Sequence, residues 1–317
     1  MMLRDVPCFT DIYESVTSFQ PVHNSAYVYA ISDEERSQPP YDWMRQFSGV
    51  ELFRIVSQEP ERISLERNGL IEQILLRSRL QLSTLSQNGD NRIAYIDITG
   101  LSHHVWAPIL RAFLDSRYTV KVIYVEPRSY KLITSSTEGD FYDLSESTRG
   151  ISPIPGFASL SRSRGNDVSF VPLIGFEGAR LIRVIEEVDA PEDRVFPIIG
   201  VPGFLPEYPF RTYQGNKFAL NKHHAWKAVR FATANCPFSI FYTLEAIAQL
   251  HPSDVIKIAP IGTKPHALGA ILFALLSPYI TELVYDHPVR KTGRTEGASR
   301  LLVYHVSTLK RSGLSYA

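Results

Sequence analysis

Apolar runs of strand length alternate with apolar patterns of helical period along most of this chain, and that alternation leaves few folds open. In the first half the runs are "SAYVYAIS" (25–32), "VELFRIV" (50–56), "RIAYIDITG" (92–100) and "TVKVIYVEP" (119–127). In the second they are "VSFVPLIGFEG" (168–178), "RVFPIIGVPGF" (194–204), "DVIKIAPIG" (254–262) and "ITELVYD" (280–286). Helical spacing covers Leu65 to Leu85 (through Leu70, Ile74, Leu75 and Leu82), Val105 to Leu114, and the ranges 222–232, 238–250 and 265–276. Such a pattern predicts an α/β protein with a doubly wound, mainly parallel, Rossmann-like sheet and helices on both faces. "SRLLVYHVS" (299–307) is expected as an antiparallel C-terminal edge strand.

At 317 residues the chain exceeds the usual single-core domain. Residues 128–166 are polar, rich in Ser, Gly and Pro, and without period, so they read as a flap or connector. The expected division is 1–127 and 167–317, two Rossmann-like halves or one continuous domain. "LPEYPFRTYQGN" (205–216) reads as an aromatic loop whose Tyr208, Phe210 and Tyr213 either pack or stack on a base. Net charge is zero, with 33 basic and 33 acidic residues, which leaves no overall field for non-specific nucleic-acid binding. Cys8 and Cys236 allow at most one disulfide and no zinc site. No signal peptide is expected, because no long apolar run follows Met1–Asp5. The apolar window Ala267–Leu276 is too short to span a bilayer, so a cytoplasmic protein is expected.

In parallel sheets ligands bind beyond the carboxyl ends of the strands, so the residues that follow each strand carry the functional signal. Asp33 and Arg36 follow the first, Asp97, Thr99 and Gly100 the "YID" strand, and Glu126 the "VIYV" strand. Glu177 and Arg180 follow "VPLIG", Gly262, Thr263 and Lys264 follow "KIAPI", and Asp286 follows "ELVY". With all strands parallel, these groups meet at one edge of one sheet. Gly262 permits close backbone approach, Thr263 caps the next helix, and Pro265 suits its first turn. The helix dipole, exposed amides and the Lys264 ammonium are expected to form an anion site in a connector that holds no acid, the alternative being a cap with a solvated lysine. The loop "DHPVRKTGRTEGASR" (286–300) adds Arg290, Lys291, Arg294 and Arg300, a candidate phosphate clamp. Asp97 either caps a helix or serves as ribose ligand, metal ligand or general base. Glu177 either caps or contacts a ribose or base. His103–His104 and His223–His224 are adjacent pairs, about 100° apart on a helix and ill placed for a shared metal. No Walker A loop, G-x-S-x-G elbow or G-x-G-x-x-G fingerprint occurs.

The turn "APIGTKPHALGA" resembles the glycine-threonine-lysine turn of CARF domains, the CRISPR-associated Rossmann-like sensors of cyclic oligonucleotides. With a "DEERS" first loop and a "DITG" second loop, the chain is also similar to Rossmann-like proteins of bacterial antiviral defence loci. The resemblance implies that Gly262, Thr263 and Lys264 contact a ligand backbone, with "DITG" (97–100) as a partner turn. It implies a nucleotide or cyclic oligonucleotide ligand, and a homo-oligomer or a partner protein from a defence operon. An enzymatic alternative is a glycosidase, phosphohydrolase or metal-dependent nuclease using Asp33, Asp97 and Glu177, with Mg2+ as the ion such acids would take. A third is an interaction scaffold using segment 128–166 and the aromatic loop.

Overall fold

The computed structural model describes residues 8–39, 49–87, 90–131, 144–159 and 167–311. Trp43, in the polar stretch before the second expected strand, lies outside them, as do Met1–Asp5 and much of segment 128–166. The chain forms two compact units: residues 1–130 with 292–313, and residues 131–291 with 314–317. The first unit begins with strands β1 (Thr10–Tyr13), β2 (Ser25–Tyr29), β3 (Val50–Gln58), β4 (Arg62–Arg67) and β5 (Leu70–Leu75). Helix α1 (Arg79–Ser83), β6 (Ile93–Asp97), α2 (His103–Leu114) and β7 (Thr119–Tyr130) follow. The second unit opens with β8 (Ser145–Thr148), β9 (Ser152–Pro153), β10 (Val168–Leu173), α3 (Gly178–Val188), β11 (Ile198–Gly200) and α4 (Tyr208–Lys222). It continues through β12 (Arg230–Ala232), α5 (Pro237–Ala248), β13 (Val255–Pro260), α6 (Lys264–Leu276), β14 (Thr281–Tyr285) and β15 (Pro288–Arg290). The chain then returns to the first unit for β16 (Thr295–Tyr304) and α7 (Ser307–Arg311).

The protein is therefore α/β, with seven α-helices among the described residues, and each unit has its own large mixed sheet. The first sheet has the order β1-β16-β7-β6-β2-β3-β4-β5, with β3, β2, β6 and β7 parallel. The second has the order β12-β11-β10-β13-β14-β9, of which the first five strands are parallel and β9 is antiparallel. The single sheet edge expected from the sequence is thus two edges of two sheets. β16 is antiparallel as expected, but it pairs with β7 on one side and β1 on the other, so it is an interior strand.

Three local expectations are corrected. Leu65 to Leu85 is not one helix: only Arg79–Ser83 forms α1, while β4 and β5 form a hairpin closed by Asn68 and Gly69, both at positive φ (52° and 76°). That two-residue turn matches the twist of the flanking strands, and it overrides the coincidence of helical spacing. Residues 205–216 are not a loop, because α4 starts at Tyr208 with a proline in its first turn, where no N–H is needed. Residues 222–232 are not a helix. They hold the end of α4, a short 3-10 turn (Ala225–Ala228) and β12.

The core of the first unit gathers Tyr27, Tyr29, Tyr95, Ile123, Val125, Leu301 and Val303 from the middle of its sheet. In the second, Leu181, Val184 and Ile185 of α3 pack with Phe170 and Ile174, each such burial being worth roughly 1.5–3 kcal/mol. α6 is buried continuously from Lys264 to Phe273, as an all-round apolar helix must be.

Candidate functional site

In the second unit, chain order runs outward from β10, to β11 and β12 on one side and to β13 and β14 on the other. The turns that leave β10 and β13 are Ile174-Gly175-Phe176-Glu177 and Ile261-Gly262-Thr263-Lys264. They pack backbone on backbone: a Cβ on Gly262 would lie 2.9 Å from the carbonyl oxygens of both Leu173 and Ile174. The close approach expected of Gly262 is therefore to its own chain. Thr263 caps α6, its hydroxyl accepting from the His266 N–H (3.3 Å) and donating to the Ala234 carbonyl (2.8 Å). With Pro265 lacking an N–H, the capped turn offers an anion fewer amides than an uncapped one. Its dipole remains, and no acid stands in the first turn. Lys264 itself is buried, at 5% exposure.

Beside these turns Arg180 reaches from the first turn of α3. It donates to both oxygens of Asp286, Nε to Oδ2 and Nη2 to Oδ1, each at 2.6 Å. Its Nη1 donates to the Ile261 carbonyl (3.2 Å) and to Glu177 (3.4 Å). Asp286 is fully buried, so this forked pair is paid for by desolvation and returned by geometry. Burial opposes the Arg180 charge, but the hydrogen bonds and charge of Asp286 outweigh it and leave its pKa raised. Glu177 accepts from the Leu144 N–H (3.0 Å) and the Ser145 hydroxyl (3.1 Å), tying the start of β8 to α3. Arg290 ends β15, and the Lys291 N–H donates to the Leu144 carbonyl (3.0 Å). Arg294 and Arg300 of the same candidate clamp belong to the first unit.

Two residues here escaped the sequence reading. Asn216, buried on α4, donates from Nδ2 to the Gly175 and Thr212 carbonyls, both at 2.7 Å. His266 is fully buried, its Nε2 3.1 Å from the Thr233 carbonyl and its Nδ1 without a hydrogen-bond partner. Burial lowers its pKa to about 4, so the ring is neutral at pH 7 and donates from Nε2. His266 was open to discovery as the third residue after a capping threonine; nothing local marks Asn216.

In the first unit the equivalent turns follow β2 and β6. A Cβ on Gly100 would lie 1.9 Å from the Ala30 carbonyl oxygen, so the "DITG" turn is pressed onto the end of β2. Asp97 accepts from the Tyr27 hydroxyl (2.9 Å) and the Thr99 N–H (2.9 Å), and the Thr99 hydroxyl accepts from the Val125 N–H (3.0 Å). Burial first, then the Asp97 charge, raises the Tyr27 phenol. Arg36 is buried and donates to Glu34 (Nε, 2.7 Å) and to the Val125 carbonyl, with its guanidinium over the Tyr124 ring. Burial opposes its charge, but Tyr124 and Glu34 outweigh that and raise its pKa. Glu34 also accepts from Arg294 Nε (2.8 Å) and the Thr295 hydroxyl (3.2 Å), and Asp33 accepts from the Gly293 N–H (3.1 Å). Glu126 pairs with Arg300 at 3.0 Å. Glu34 stands in a run of charges after the first strand, and only its tertiary partners set it apart from its neighbours.

The candidates thus fall into two groups: Asp33, Arg36, Asp97, Thr99, Gly100, Glu126, Arg294 and Arg300 in one unit, and Glu177, Arg180, Gly262, Thr263, Lys264, Asp286, Arg290 and Lys291 in the other. Among the described residues no three His, Cys, Asp or Glu side chains are placed to hold a metal ion, and no helix is long and apolar enough to cross a membrane. Both cysteines are unbridged. No family model, no curated protein and no solved structure matches the chain.

Proposed function

We propose that the chain is a nucleotide- or oligonucleotide-binding component, in the manner of the defence-locus sensors its turns resemble, and that it holds phosphate at the Gly262-Thr263-Lys264 start of α6. On this reading the parallel part of the second sheet is Rossmann-like, and its switch point lies between β10 and β13, where open α/β sheets take their ligands. The observation that carries the proposal is the placement of a lysine on a 13-residue helix at the carboxyl end of β13, beside that reversal and with no acid in the helix's first turn. Binding is favoured over turnover because Asp97, Glu177, Asp33, Glu126 and Asp286 are each engaged by protein donors. A carboxylate so engaged has less room to serve as base or Mg2+ ligand. Oligomerisation, or a partner from a defence operon, completes the proposal.

The test is thermal unfolding of the full chain with mono-, di- and cyclic oligonucleotides. A ligand that binds only the folded state, at 100 times its Kd, adds about 2.7 kcal/mol of stability. Lys264→Met keeps the buried stem and removes the charge. The expected result is stabilisation of the parent chain that this variant loses while retaining its circular dichroism. Equal stabilisation of both proteins, or none from any phosphate-bearing ligand, would contradict the proposal.

A further inference from the structure

The first sheet ends on β5, "LIEQIL", and among the described residues no strand lies beyond it. The Leu76 N–H donates to the Glu61 carbonyl (2.8 Å), so the even-numbered residues of this stretch turn their backbone groups towards β4 and the odd-numbered ones turn outward. At Leu75 the outward groups are occupied: the N–H donates to Gln81 Oε1 (2.7 Å) and the carbonyl accepts from the Ser78 N–H (3.0 Å). At Ile71 and Gln73 they face away from the sheet. The side chains are as exposed as the backbone, with Leu70 at 73%, Ile71 at 65% and Leu75 at 48%. β5 contains no lysine or proline and its register with β4 is unbroken, so apart from the charge of Glu72 and the cover at Leu75 the usual protections of an edge strand are missing.

We propose that β5 pairs antiparallel with β5 of a second copy of this chain, about a two-fold axis through Gln73. The strand is its own complement in that register. Residues opposed across an antiparallel pair share a face, so Ile71 meets Leu75 of the other copy, Gln73 meets Gln73, and Leu75 meets Ile71. The two exposed apolar side chains of that face cover each other twice. Gln73 donates its Nε2 to Ser64 Oγ (2.7 Å), which leaves its Oε1 for the facing amide. The strand's single charge, Glu72, falls opposite Ile74. Moving the axis to Glu72 would set two carboxylates face to face, and moving it to Ile71 would set Gln73 against the turn residue Gly69. Gln81 acts as a placeholder on the Leu75 N–H until the Ile71 carbonyl of the second copy replaces it. The inference uses no residue of the nucleotide site and stands apart from it.

Sedimentation equilibrium of the full chain is expected to give a particle of twice 35.9 kDa. Ile71→Lys and Leu75→Lys change exposed side chains, so each should return the mass to the monomer with unchanged circular dichroism. In a background of Cys8→Ser and Cys236→Ser, Gln73→Cys should form a disulfide with itself on mild oxidation, because opposed hydrogen-bonded residues have Cα atoms about 5.5 Å apart. Glu72→Cys should not. A monomeric parent, a dimer indifferent to Ile71→Lys, or self-linkage at residue 72 and not 73 would each overturn the proposal.

Discussion

Arg180 shows how far a side chain's role depends on partners remote in sequence. It stands at the mouth of a strand-to-helix turn, where a cation suggests a ligand, yet its fork is filled by a fully buried Asp286. Removing it strands that carboxylate, so Arg180→Ala should lower stability by about 3–5 kcal/mol in urea unfolding, with partial recovery when Asp286→Leu is added. His266 supplies a titration. Its folded pKa of about 4 lies below the ordinary 6.5, so the unfolded chain takes up a proton first. The stabilisation is complete above pH 6.5 and lost as pH falls towards 4, amounting to about 3 kcal/mol. Urea midpoints measured across that range should fall with pH in the parent chain and fall less in His266→Gln. The charges themselves were legible in the sequence, but their uses were not. "DEERS" reads as a charge run, and only the fold reveals Glu34 gripped by Arg36 and Arg294.

At the scale of elements, the sequence was clearest where a strand is apolar throughout. The runs at β2, β6, β10 and β13 are buried along nearly their whole length and β7 from Val122 to Pro127, and each was expected within a few residues of its place. It was least clear where two periods compete. Leu70, Ile74, Leu82 and Leu85 satisfy a helix on paper, while Asn68-Gly69 dictates the hairpin. α6 was legible to its cap: Thr263 at the N-cap position, proline in the first turn and an apolar body. Thr263→Ala should therefore cost about 0.5–2 kcal/mol, while Thr263→Ser, which keeps the hydroxyl, should cost much less. Chemical unfolding of both variants checks this, and equal losses would show that the threonine methyl, not the cap, matters.

At the scale of the whole molecule, the make-up of the two units depends on one non-local pairing that no local pattern marks. β16 lies far along the chain yet joins β7, so residues 292–313 belong with the first 130. Each unit has a parallel core in which two strand-end turns touch through a glycine, Gly100 against Ala30 in one and Gly262 against Ile174 in the other. Of these two places only the second opens a long helix with a lysine, which is where the proposed phosphate site lies. The most direct measurement is a crystal structure of the full chain grown with the nucleotide that most raises its melting temperature. The account predicts phosphate density within hydrogen-bonding distance of Lys264 Nζ at the start of α6. A nucleotide bound elsewhere, with the α6 turn untouched, would contradict it.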